Sequence, residues 1–274
     1  MSVSLIDALV DRILFMKLMH KVVNNFHNTG VMIGWSPVQG GYRLLESKFT
    51  GKTLSMDKKT WDWTVPAWLL DAAADIIIRL AVDAPLWWIN AVRARFRCLF
   101  EDPEFIFSDG SRARQANPGI MKSGCYLTIF INSIAQLILH EMALYALNIP
   151  RDVAEPIIVV GDDTLQKWFS RFPECVAYWQ SLGFTIEVEE HDGIPEFAGF
   201  KYKNGYFPAY IQKHYFTLSH LTTNRELAQQ TLQSYQILYW FDKDMLKTIR
   251  DIVRMLKMPE ALVSDMDLSV IAQG

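Results

Sequence analysis

Two adjacent carboxylates, Asp162 and Asp163, directly follow Ile157-Ile158-Val159-Val160-Gly161. Four β-branched residues in a row read as a short buried strand, and Gly161 ends it. Nothing in such a strand calls for paired acids at its end. Like charges side by side repel unless water solvates the turn fully or a cation lies between them. The first alternative is an ordinary surface turn, and the second is half of a divalent-metal site. A third acid, Asp57, closes another stretch with strand character, Lys52 to Asp57. Strand-end aspartates from distant parts of a chain can lie on one edge of a sheet. Their hard oxygens suit Mg2+, which keeps some waters and is held by one or two carboxylates plus substrate phosphates. Two such ions would stabilise both the attacking and the leaving oxygen of an in-line phosphoryl transfer. On this reading Asp57 and Asp162 hold the metals and Asp163 supports them.

The elements that must position these acids can be read from the hydrophobic pattern. Residues 5 to 26 carry apolar side chains at helical spacing. An irregular segment follows, with Gly30, Gly34, Pro37, Gly40 and Gly41, whose backbone must pass close to something. After the strand ending at Asp57, Pro66 opens a helix over about Ala67 to Val82. Beyond Pro85 a second helix carries Arg93, Arg95 and Arg97, read as a solvated face. Phe105 to Ser111 has the Asp-Gly signature of a hairpin. Pro118 to Gly124 forms a loop that opens a long helix, Tyr126 to Leu147. The strand before Asp162 comes next, then a helix from about Leu165 to Leu182 and a strand from Phe184 to Val188. Lys203-Asn204-Gly205 turns a hairpin between Phe197-Lys201 and Tyr206-Ile211, and everything after His214 reads as helix. The predicted class is α+β, with two helices backing one antiparallel sheet in the split βαβ pattern.

Composition narrows the setting. Half of the 274 residues are apolar, with nine Trp and sixteen Phe, which excludes disorder and supports a large core. Net charge is −3, so any nucleic-acid surface must be local. Cys98, Cys125 and Cys175 have neither zinc nor disulfide-framework spacing, which predicts a reducing compartment. The longest apolar run, Leu127 to Ile149, contains Asn132, Ser133, Gln136, His140 and Glu141. It reads as a buried helix rather than a membrane span.

Taken together, these residues resemble the palm of viral RNA-dependent RNA polymerases. Asp57 with Asp62 resembles motif A, Ser123-Gly124 with Thr128 and Asn132-Ser133 motif B, and Gly161-Asp162-Asp163 motif C. Trp61-Asp62-Trp63, Gly34-Trp35-Ser36-Pro37, Gly40-Gly41-Tyr42-Arg43 and Lys122-Ser123-Gly124 are most similar to sobemovirus-like enzymes. The likeness runs from about Val31 to Tyr210. It implies a nucleotidyltransferase with two Mg2+ ions, or Mn2+ in their place, held by Asp57, Asp162 and Asp163. Asp62 and Asn132 would read the ribose 2′-hydroxyl of the incoming nucleotide, Ser123 and Thr128 would hold that network, and Gly124 would let the loop move. A hydroxyl both donates and accepts, so a carboxylate and an amide together satisfy it. The implied partners are template and nascent RNA, nucleoside triphosphates, a protein primer and other viral replication proteins. The implied location is host cytoplasm, at membrane-associated replication complexes.

The domain expectation is a lead-in of residual fingers over 1–50, a palm over 51–212 with motifs A to E, and a partial helical thumb over 213–274. Fingers are largely absent, so the chain is expected to be a piece of a larger polymerase or a frame that starts late. The family's motif D lysine is also missing. His191 stands near its place as a candidate general acid, with a solvated turn histidine as the plain alternative. Lys201, Lys203 and Lys213 are candidate contacts to RNA phosphates. Two other classes stay open: a non-catalytic palm-like RNA-binding scaffold, and a reverse transcriptase. Reverse transcriptases generally place an aromatic gate where Asp62 stands.

Overall fold

The structure, a computed structural model, describes residues 3–274. The chain begins with α1 (Leu5–Asn24), α2 (Tyr42–Lys48), β1 (Lys52–Lys58), α3 (Trp61–Thr64), α4 (Ala67–Leu80) and α5 (Leu86–Phe96). A hairpin, β2 (Glu104–Ile106) and β3 (Arg112–Arg114), leads to α6 (Thr128–Ala146) and α7 (Arg151–Ala154). Next come β4 (Ile157–Val160), β5 (Asp163–Lys167), α8 (Phe172–Ser181), β6 (Ile186–Asp192), β7 (Glu196–Phe197), β8 (Phe200–Tyr202) and β9 (Tyr206–Pro208). Four helices finish the chain: α9 (Ile211–Ser219), α10 (Arg225–Leu238), α11 (Lys243–Met255) and α12 (Asp265–Gln273). These elements form two compact units, one from residues up to Gly34 with Met56–Glu189, the other from Trp35–Ser55 with Glu190–Gly274.

The first unit is built on a sheet of order β4-β5-β1-β6. With α6 between β1 and β4 and α8 between β5 and β6, the succession is β-α-β-β-α-β, the predicted split βαβ arrangement. The α+β class therefore stands. α6 runs through the core and packs on α4, α8 and β4. It is long and apolar enough to cross a membrane, and no other helix among the described residues is. Most of its length is nevertheless buried in protein, including Asn132, Ser133, Gln136 and His140. Trp179 of α8 is fully enclosed and its indole N–H donates to the Leu139 carbonyl at 2.8 Å, so even this large side chain keeps its polar atom satisfied.

Two expectations are corrected here. The residues after Asp163 were expected to start a helix near Leu165, but Asp163–Lys167 forms β5, antiparallel to β4, and the helix begins at Phe172. Thr164, Leu165 and Gln166 are all buried, and Gln166 donates to the Ala154 carbonyl at 2.8 Å. Sheet pairing and that bond outweigh a local pattern with no period-2 alternation. Arg95 was read as part of a solvated face. It is buried, with Nε and Nη2 on the two Asp11 oxygens at 2.6 and 3.1 Å and Nη1 on Asp7 at 2.6 Å. This two-pronged pair fastens α1 to α5.

The second unit explains the irregular glycine-rich segment. Gln39 and Gly40 donate backbone N–H groups to Ile271 and Ala272, and Arg43 caps Gln273 at 3.0 Å, so the segment grips the end of α12. A Cβ on Gly41 would overlap the Ser36 carbonyl oxygen, which is the close approach the sequence implied. The strands β7, β8 and β9 form a small antiparallel sheet. Helices α9 to α11 contribute to one core cluster that includes Leu218, Leu232, Tyr239, Ile249 and Val253. Cys98 is exposed, while Cys125 and Cys175 are buried, and all three are free thiols.

Asp11 has no solvent exposure. Asp11→Ala would strand the buried Arg95 charge and is expected to cost about 3–5 kcal/mol in denaturant unfolding. Asp7→Ala, at the half-exposed end of the same cluster, should cost less than about 1 kcal/mol. Equal costs would contradict the assignment of Asp11 as the buried partner.

Candidate active site

Asp57 is placed by strand alternation. In β1 the even positions Leu54, Met56 and Lys58 turn into the core, and Asp57 faces outward at the strand's end. The register is held by Thr164 of β5, whose hydroxyl donates to the Met56 carbonyl at 3.2 Å.

Asp162 sits at the tip of the β4–β5 hairpin. Val160 pairs with Asp163, so Gly161 and Asp162 are the two loop residues. Gly161 has φ of 63° and Asp162 is not in the left-handed region, the pattern of a type II′ turn with glycine first. The tip is tied down: Gly161 N–H donates to Ser133 Oγ at 2.9 Å, and Ser133 donates to the Ile129 carbonyl at 2.7 Å. α6 therefore fixes the height of the acid pair. Asp163 opens β5 rather than completing the turn.

Asp62 is carried by α3, a single turn following Thr60 in the left-handed region. Its backbone carbonyl accepts from Met121 N–H at 2.7 Å, and Ser123 Oγ donates to its carboxylate. Gly119 supports the same contact: its φ is 115°, and a Cβ there would come within 2.6 Å of the Val65 carbonyl oxygen. The structure thus brings Asp62 and Ser123 together. Asn132 is only 5% exposed, and its Oδ1 accepts from the Trp61 indole at 2.9 Å. It lies behind the residue preceding Asp62, with its carbonyl already engaged. Thr128 donates to the carbonyls of Lys122 and Cys125, at 2.6 and 3.0 Å, closing the turn that starts α6. Gly124 is exposed in that turn.

Electrostatics unite these elements. Desolvation raises the Asp162 carboxyl above the usual range, and the Asp57 and Asp62 charges push it the same way. Asp163 is pushed up to about 6, first by desolvation and then by Asp162 and Asp57. Acids from β1, α3 and the hairpin therefore act on one another. The cation facing them from within is Lys58, which opposes the rise at Asp162. Carboxylates from three segments, acting on one another's charge and reaching solvent, offer the hard oxygens that a divalent cation such as Mg2+ takes.

The remaining candidates belong to the second unit. His191 Nε2 is 3.0 Å from Ser55 Oγ, whose hydroxyl donates to the Glu196 carbonyl. Lys201 pairs with Glu196 at 3.6 Å, and Lys203 and Lys213 are exposed. Sequence reasoning gave no role to Lys58, to Gln136, which accepts from it, or to the Trp61 indole. The signal for Lys58 was available, since period-2 alternation puts it on the Leu54–Met56 face.

The family model described as viral RNA-dependent RNA polymerase matches residues 7–203. The chain is similar to an RNA-directed RNA polymerase of Mushroom bacilliform virus (isolate Australia/AUS LF-1), 25% identical over 268 residues, covering 93% of this chain and 62% of the relative. It is also similar to Protein P2-P3 of Poinsettia latent virus, 28% identical over 220 residues, covering 69% of this chain and 18% of the relative. Replicase polyprotein P2AB of Cocksfoot mottle virus is 28% identical over 202 residues, covering 71% and 20%. The chain thus spans under two thirds of the first of these relatives and about a fifth of the other two.

Burial of Asp163, with repulsion from Asp162 and Asp57 added, sets a pH dependence. The Asp163 carboxyl lies near 6 in the folded protein and near 3.8 in a free chain. The folded form binds the extra proton between those values, so its contribution to stability is full below the window and is lost as pH rises through about 6. Asp163→Asn is expected to raise the melting temperature of the metal-free protein at pH 7, with a gain that shrinks towards pH 5. Superimposable melting curves at pH 7 would contradict the raised Asp163 carboxyl.

Proposed function

Because this chain belongs to the viral RNA-dependent RNA polymerase family, we propose that it carries the catalytic palm of such an enzyme and adds ribonucleotides to an RNA 3′ end on an RNA template. The observation that carries the reading is the convergence of Asp57 with the hairpin pair Asp162 and Asp163, acids supplied by distant segments that act on one another's charge. The palm would comprise residues 51–212, and the helices over 213–274 part of a thumb.

Asp57 and Asp162 would hold two divalent cations, with Asp163 beside them. When bound, such ions activate the attacking 3′-hydroxyl and stabilise charge on the transferring phosphate and leaving pyrophosphate. The chain's own residues supply the placement. The II′ turn presents Asp162, β1 presents Asp57, and Ser133 keeps the hairpin tip against α6. Rigid placement is how a protein contributes most to phosphoryl transfer, since little covalent chemistry is left to it.

Sugar choice would rest on Asp62 and Ser123, whose bond leaves carboxylate oxygen free to accept from a ribose 2′-hydroxyl. Asn132 would join this network by turning its amide away from Trp61, or else would act through the indole that positions Asp62. His191 stays the candidate general acid, and Lys201, Lys203 and Lys213 the candidate phosphate contacts. The RNA, the nucleoside triphosphates, a protein primer and other replication proteins would be its partners, and membrane-associated complexes in host cytoplasm its location.

One primer-extension experiment tests both assignments. Asp57→Asn and Asp162→Asn are each expected to reduce Mg2+-dependent ribonucleotide incorporation about 10³-fold or more. Asp62→Ala should narrow the preference for ribose over deoxyribose about tenfold or more. Activity surviving either of the first two changes would remove the metal assignment, and unchanged sugar selectivity would remove the second.

A further inference from the structure

Lys58 is 3% exposed, and none of the chemistry above uses it. It follows Asp57 in β1, so the two side chains leave opposite faces of the strand. Its ammonium donates to Gln136 Oε1 and lies between two indoles, 5.7 Å from the Trp61 ring centroid and 5.5 Å from that of Trp179. An amide oxygen and two π faces replace part of the water a buried cation gives up; burial still lowers the Lys58 pKa to about 8, against the pull of Asp57 and Asp162. His140, one helical turn beyond Gln136, is 2% exposed and has neither ring nitrogen bonded. Burial depresses its pKa to about 4, so the imidazole is neutral and adds no second charge. The Lys58 charge acts on both Asp57 and Asp162.

We propose that Lys58 is a positioning residue, a fixed internal counter-ion that holds Asp57 and Asp162 together before a divalent cation arrives and limits how tightly that cation is then held. The inference rests on the reading of those two acids as metal ligands. In the metal-free protein a positive charge beneath the cluster offsets part of the carboxylate repulsion. The same charge repels an incoming cation. By linkage, whatever it contributes to the metal-free state is subtracted from metal affinity. Trp61 extends the effect, because the indole against Lys58 is bonded to Asn132 and adjoins Asp62.

The test uses the full chain, with Mn2+ as probe in calorimetric titration and melting temperature as a second readout. Lys58→Met removes the charge and keeps an unbranched apolar stem. It is expected to bind Mn2+ about tenfold more tightly. Its melting temperature should rise further on saturation with Mn2+ than that of the unaltered chain, as tighter binding requires. Lys58→Arg, which keeps the charge, should retain affinity near that of the unaltered chain. A purely structural role predicts the opposite, looser Mn2+ binding in Lys58→Met, because the ligands would lose their placement. Unchanged or weaker binding in that variant overturns the proposal. Should it fail to fold, Lys58→Gln, neutral but still able to bond Gln136, must show the same tightening. Failure of the underlying reading looks different: the unaltered chain would then bind no Mn2+, or Asp162→Asn would bind it equally well, and either result overturns the proposal along with that reading.

Discussion

Carboxylates that act on one another must be held together against their own repulsion, and no flexible loop could do this. Asp57, Asp62, Asp162 and Asp163 come from a strand end, a one-turn helix and a hairpin, and each of these elements is pinned by hydrogen bonds to its neighbours. Thr164 holds β1, Ser133 holds the hairpin tip, and Met121 holds α3 through the Asp62 carbonyl. Burial, with repulsion from the neighbouring acids added to it, raises the carboxyls of Asp162 and Asp163. A site of this kind is less stable empty than filled, as expected where local consistency yields to function.

α6 is the common support. Its buried face carries Asn132, Gln136 and His140 at helical four-residue spacing, with Ser133 beside them. Each of the first two meets a residue of the segment after Asp57: Asn132 meets Trp61, and Gln136 meets Lys58. Ser133 meets the hairpin instead. A helix that apolar would suit a bilayer by composition, yet Asn132, Ser133 and Gln136 have hydrogen-bond partners inside the protein. One core element thereby connects both acid-bearing segments, so a change in its packing would reach both together.

Much of this was legible in the sequence because it rests on local rules. The strand before Gly161 is β-branched, Pro66 opens its helix, and the Asp-Gly turn makes its hairpin. Asp57 and Asp162 could be paired from residue type and strand-end position alone. What escaped reading depends on distant partners. β5 was taken for helix because Gln166 looks solvated until Ala154 is seen to accept from it. Arg95 looked like surface until Asp11, from the first helix, was found against two of its three nitrogens. Asn132 could be placed on the right helix, but not its bond to the Trp61 indole. Lys58 was passed over because a charged residue beside a reactive acid is read as exposed, although its strand parity puts it inside.

The central claim is that Asp57 and the hairpin acids form one divalent-cation site. Anomalous diffraction from crystals grown with Mn2+ tests it most directly. Anomalous density is expected between the carboxylates of Asp57 and Asp162, with Asp163 beside it, and its loss is expected in Asp162→Asn crystals. Full Mn2+ occupancy elsewhere with none between those two carboxylates would contradict it.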